Sequence, residues 1–162
     1  MDRQHDLRTT EPGEATLDRR GLRVLDLTTC LARLAACPVG RIAMFDRGGV
    51  VILPVNHVVD GMTIGFRTTT GTKLFHAIHG SEVGFEVDDF DASTRTGWSV
   101  LAQGTAALAG DAEAARLDRL ASTPWISRTD RWVVIHAHEI SGRELVAGDS
   151  ASRDAVDGGL PR

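Results

Sequence analysis

The apolar positions along the chain change period several times, and each change marks an element. Leu27, Cys30, Leu31, Leu34 and Ala35 recur at i, i+3 and i+4, which predicts a helix with Asp26 or Thr28 as N-cap and Pro38 as its stop. From Val39 to Phe45 the period shortens to that of a strand, Asp46 to Gly49 reads as a turn, and Val50 to Val59 is a long β-rich run. Asp60–Gly61 is a hairpin signal, because both residues tolerate positive φ, and Met62 to Thr68 returns as the next strand. A loop over 69–72 leads to a short helix from Lys73 to His79, closed by Gly80. Glu82 to Val87 is a strand, Asp88 to Gly97 a polar connection, and Trp98 to Leu108 a long strand. Asp111 is placed to cap a helix over Ala112 to Leu120, and Arg131 to Ile140 forms the last strand.

Six strands joined mostly by short turns, with three helices at the margins, predict a mainly β fold: a small six-stranded antiparallel barrel. Pro54 interrupts the longest strand, so an edge or a bulge is expected there. Residues 1–20 and 148–162 are polar and read as flexible arms, leaving 21–147 as one folded domain. The length of 162 residues and a 42% hydrophobic composition suit a single core that needs neither metal nor disulfide to form.

Charge narrows the choice of partners. Eighteen Lys and Arg against 22 Asp and Glu give a net charge of −4, with no concentrated basic face for nucleic acid. No apolar run approaches the roughly 20 residues of a membrane span, and the first 20 residues lack the apolar stretch of a secretory signal. A cytoplasmic protein is expected. Cys30 and Cys37 share a helix face but lie about 10 Å apart by rise, too far for a disulfide, and read as small apolar packing residues.

The segment from Phe66 to Leu74 carries the most chemistry. Thr72 is placed to cap the short helix, Lys73 sits in its first turn, where a cation opposes the helix dipole, and Arg67 ends the preceding strand. Two cations, hydroxyls and free backbone N–H groups fit a phosphate, since a bound anion would reverse the unfavourable dipole interaction. The same residues also make an ordinary solvated basic turn, and composition does not choose between the two. Elsewhere the signals are weak. His76 with His79, and His136 with His138, lack further ligands at metal spacing, and Glu86, Asp88, Asp89 and Asp91 fit no calcium loop. No metal site is expected. Trp125 and Trp132 read as core, interface or pocket rim, and no nucleophile elbow, P-loop or dinucleotide fingerprint is present.

Taken in order, Gly40 to Ala43, Pro54 to Gly61, Phe66 to Thr68, Gly71 to Lys73, Phe85 to Asp88, Gly97 to Val100 and Ile140 to Arg143 resemble a known family. The chain is similar to the flavin-binding split-barrel proteins related to pyridoxamine 5′-phosphate oxidase, nearest their nitroimidazole-resistance branch, from about Leu17 to Leu145. The resemblance implies a split barrel and an FMN site at a homodimer interface. It places Arg67, Thr68, Thr72 and Lys73 on the flavin phosphate, and Leu53, Val55, Asn56 and the backbone of His57 along the isoalloxazine ring. Ser99, beside Trp98, matches the family's later polar ring contact, although the true oxidases carry a longer amide there. An aromatic residue commonly stands where this chain has His57, whose imidazole either donates a proton during substrate reduction or simply packs on the ring.

The expectation is an FMN-dependent oxidoreductase of a small organic substrate, in which the flavin carries the redox chemistry. Pyridoxamine-phosphate oxidation itself is disfavoured, because Arg128, Arg131 and Arg143 are scattered and form no second phosphate cluster. The rival readings are a deazaflavin-dependent reductase of the same fold, a non-catalytic flavin- or haem-binding protein, and an inactive dimeric scaffold.

Overall fold

The structure is a computed structural model, and it describes residues 16–69, 78, 80–121 and 131–147. The elements are β1 (Arg23–Leu25), α1 (Leu27–Ala36), β2 (Val39–Asp46), β3 (Gly49–Asp60), β4 (Thr63–Thr68), β5 (Glu82–Asp91), β6 (Thr96–Leu108), α2 (Asp111–Leu120) and β7 (Arg131–Leu145). All pairings are antiparallel, in the order β1-β7-β4-β3-β2-β5-β6, and β6 returns to pair with β7. Six strands thus close the ring that the hydrophobic alternation predicts. The described strands number seven rather than six, because the three-residue β1 continues along the β7 edge where β4 stops. A strand that short carries no readable period.

The ring is split at two thin seams. β3 pairs with β4 only from His57 to Asp60, and β2 pairs with β5 only from Arg41 to Ala43. From Gly49 to Asn56 the second edge of β3 has no strand partner among the described residues. Pro54 lies in that stretch, where a missing N–H costs no ladder bond on the open side.

Alternation along the strands fills the interior with Ile42, Met44, Ile64, Phe66, Val83, Phe85, Val87, Val100, Ala102, Val133 and Ile135, and α1 plugs it with Cys30 and Leu34. A second, smaller cluster lies outside the ring, where Leu117 of α2 covers Trp132 and Val134. β7 therefore buries both its faces from Trp132 to Ile135. Leu117 descends so closely onto β4 that a Cβ on Gly65 would stand 2.8 Å from its Cδ1.

Several element ends differ from the sequence expectation. Asp26 is the N-cap of α1, its carboxylate accepting from Thr29 N at 2.7 Å, but the N-cap of α2 is Gly110, with Asp111 as the first helical residue. In the β3–β4 hairpin only Gly61 takes a positive φ (61°), and Asp60 stays in the strand. β5 and β6 run on into most of the polar connection expected over 88–97. There Asp91 closes the turn by accepting from Ser93 N at 2.8 Å and Ser93 Oγ at 2.6 Å, bonds that draw its carboxyl down to about 2. β7 continues to Leu145, since Ser141 to Glu144 are polar yet fully paired with β6. The short helix expected over 73–79 lies outside the described residues except for Ile78, which is helical and buried, and the closing Gly80 has φ +75°.

Within the expected N-terminal arm, Leu17 bridges to Arg23, and Asp18 accepts from Arg143 Nε at 3.1 Å. No helix among the described residues is long and apolar enough to cross a membrane.

Candidate functional site

The β3–β4 seam gathers three of the residues singled out from sequence. His57 and Phe66 are the last registered pair, so Asn56 and Arg67 are the first residues on the two strands beyond it. Both point away from the barrel interior, while Leu53 and Val55 turn inward and pack on the core.

His57 is partly buried beside Phe85, its ring edge-on at 4.8 Å between centroids. Its Nε2 lies 2.8 Å from the Leu34 carbonyl of α1. A carbonyl only accepts, so Nε2 carries the proton and Nδ1 is bare, buried and without a partner among the described residues. This bond has a sequence cause. In a continuing helix the Leu34 carbonyl would accept from the N–H of residue 38, and residue 38 is proline. His57 supplies the missing donor, and Asn56 Nδ2 donates to the carbonyl of Pro38 itself at 2.9 Å. Burial lowers the His57 pKa below its ordinary value, so the imidazole is held neutral; the bond to Leu34 opposes this weakly.

Arg67 stands directly opposite Trp132 on β7, and its guanidinium lies over the indole at 4.8 Å. Arg67 Nη2 donates to Asp118 Oδ1 of α2, and Trp132 Nε1 donates to the same oxygen at 2.8 Å. The Trp132 bond first, and then Arg67, hold the Asp118 carboxyl below the usual carboxylate range. Arg67 Nε is buried with no partner among the described residues, although the side chain as a whole is 33% exposed. That combination suits an anion: a fixed, flat guanidinium with an unused N–H.

The other expected site residues separate into three groups. Thr68 is on the opposite face of β4 from Arg67 and only 5% exposed. Thr72 and Lys73 lie outside the described residues. Trp98 and Ser99 are on β6, three strands from β3 in either direction round the ring and therefore on the opposite wall. The Trp98 ring is covered by Arg33 at 4.6 Å, and Arg33 shares Glu144 with Arg23. Ser99 is registered between Asp88 and Arg143. Asp118 and Trp132 were not expected at the Arg67 position. The sequence marks Trp132 only as a lone tryptophan, and nothing near Arg67 signals where α2 will land.

The family model described as pyridoxamine 5′-phosphate oxidase matches residues 26–144. This chain belongs to the pyridoxamine 5′-phosphate oxidase family. Among family relatives, the uncharacterized Mycobacterium tuberculosis protein Rv0080 is 37% identical over 131 residues, 76% of this chain and 85% of that one. The FAD-binding protein of Mycobacterium smegmatis superposes with a TM-score of 0.67 at 34% identity, covering 75% of this chain and 97% of that one. A conserved Corynebacterium diphtheriae protein of unknown function superposes at 0.64 and is 37% identical, with 77% and 98% covered. The mainly β split barrel and the family assignment expected from the sequence therefore hold.

Proposed function

We propose that the chain is a flavin-nucleotide oxidoreductase of the pyridoxamine 5′-phosphate oxidase family that works as a homodimer on a small organic substrate. The observation that carries the reading is the β3–β4 seam, where, among the described residues, an outward guanidinium with an unpartnered Nε stands beside a strand edge open from Gly49 to Asn56. Arg67 binds the phosphate, with Thr72 and Lys73 completing its shell. The open β3 edge offers backbone donors and acceptors to the polar rim of the ring, near Leu53, Val55 and Asn56. The bound flavin supplies the redox chemistry, and the protein fixes its phosphate and one face of its ring. His57 locks α1 to the seam through Leu34 and thereby fixes the shape of the ring site; as a proton donor it would first have to give up that bond.

Two features support the dimer. Phe45, Val50 and Ile52 are 73%, 61% and 61% exposed and adjoin one another in register on the outer face of β2 and β3, an apolar patch suited to a second copy. Trp98 and Ser99 stand on β6, across the ring from β3, so for a flavin lying outside the barrel along the β3 edge a partner's β6 is the natural source of that contact. FMN follows from the family resemblance, and FAD is favoured by the FAD-binding relative from M. smegmatis. Cofactor-free protein titrated with FMN, FAD and riboflavin tests the reading. Arg67→Ala is expected to weaken both nucleotides about ten-fold and leave riboflavin unchanged. Equal losses for riboflavin would remove Arg67 from the phosphate.

A further inference from the structure

We infer that Asp118 occupies the anion seat of this site, and that a flavin phosphate oxygen takes its place on Arg67 and Trp132 when the cofactor binds. The inference rests on the reading of Arg67 given above and adds two residues to it, Asp118 as a resident counter-ion and Trp132 as a phosphate donor.

The geometry is that of a small cradle. Two N–H donors from neighbouring strands, Arg67 Nη2 and Trp132 Nε1, converge on one carboxylate oxygen. A third, Arg67 Nε, is buried beside them without an acceptor among the described residues. The indole holds the guanidinium flat from below, so the donors keep their directions whichever oxygen they serve. Asp118 Oδ1 thus stands where an oxyanion of a ligand would stand, but a monoanionic carboxylate reaching in from α2 leaves Nε unused.

The carboxylate is also the member best able to leave. Asp118 is 51% exposed, so its charge is rehydrated readily once displaced. A phosphate brings more charge and three oxygens to the same donors. Both anions cannot share the cradle without repulsion at close range, which a one-third-exposed site screens only in part. Displacement would not detach α2. The helix keeps Leu117 on Gly65 and the Arg116–Asp60 ion pair at 3.1 Å, so only its last turn is freed.

The experiment measures FMN and riboflavin affinity for cofactor-free wild type, Asp118→Ala, Trp132→Phe and Arg67→Ala, with circular dichroism confirming the fold of each variant. Asp118→Ala is expected to bind FMN about three-fold or more tightly, because a competing ion pair is gone, with riboflavin unchanged. Trp132→Phe is expected to bind FMN several-fold more weakly, again with riboflavin unchanged. Hydrogen exchange supplies a readout apart from affinity: FMN speeds exchange in the last turn of α2 in wild type and has no such effect in Asp118→Ala. Should Asp118→Ala leave FMN affinity unchanged or weaken it while Arg67→Ala shows a phosphate-specific loss, Asp118 orients the arginine and the exchange is wrong. Should Arg67→Ala show no phosphate-specific loss, the phosphate reading itself fails, and the exchange fails with it.

Discussion

Replacing His57 by Phe separates a structural histidine from a catalytic one. Phe keeps the ring that meets Phe85 at 4.8 Å but removes the donor that serves the Leu34 carbonyl. Because residue 38 is proline, no backbone N–H in the helix can replace it. An interior carbonyl left without a partner costs about 1–3 kcal/mol, so His57→Phe should lower the unfolding free energy by that amount at neutral pH. His57→Gln, whose amide can donate from a similar position, should recover part of the loss.

The pH dependence of the same variants is a second arm. Burial depresses the folded-state pKa of His57, so the unfolded chain takes up a proton at higher pH than the folded one. Its contribution to stability is therefore complete above the unfolded value of about 6.5 and is lost as pH falls below that, at up to about 1.4 kcal/mol per unit. His57→Phe and His57→Gln should both lack this slope. Urea unfolding from pH 8 to pH 5 reads both arms. A His57→Phe protein as stable as wild type at neutral pH, with an unchanged acid slope, would refute the reasoning.

Three further outcomes follow from the same geometry. A methyl at Gly40 would lie 2.2 Å from the Cζ of the fully buried Phe85, so Gly40→Ala should cost about 1–3 kcal/mol, seen as a lower thermal midpoint. Phe45→Asp combined with Ile52→Asp should convert a dimer to monomers in light scattering without loss of β-sheet signal; a dimer that survives both charges uses another face. Leu117→Ala removes the one fully buried side chain of α2, and should raise hydrogen exchange along that helix while the barrel strands remain protected.

Most of the barrel was legible because a closed ring of antiparallel strands imposes period-two alternation, and each ring strand had enough residues to show it. β1 escaped because three residues cannot show a period. The end of β7 escaped because Ser141 to Glu144 look like a loop, yet each is paired with β6 and three of them also with β1. At the site, Arg67 was visible as a cation at a strand end, but its partners were not. Asp118 lies 51 residues further on, and its approach depends on how α2 crosses the sheet, which no local pattern encodes. The role of His57 was partly written in the sequence. Pro38, read as a helix stop, also strands the Leu34 carbonyl and calls for a donor from elsewhere in the chain.

The central claim is that this chain holds a flavin nucleotide at the seam where β3 parts from β4. Its most direct test is the visible spectrum of the purified protein, reconstituted with excess flavin where it emerges colourless, followed by chromatography of the cofactor released on denaturation. The expected result is a flavin spectrum retained through gel filtration at one equivalent per chain, released as FMN or FAD, and retained less fully when Arg67 is replaced by Ala. A deazaflavin or haem spectrum, or a chain that stays colourless with saturating FMN and FAD, would contradict it.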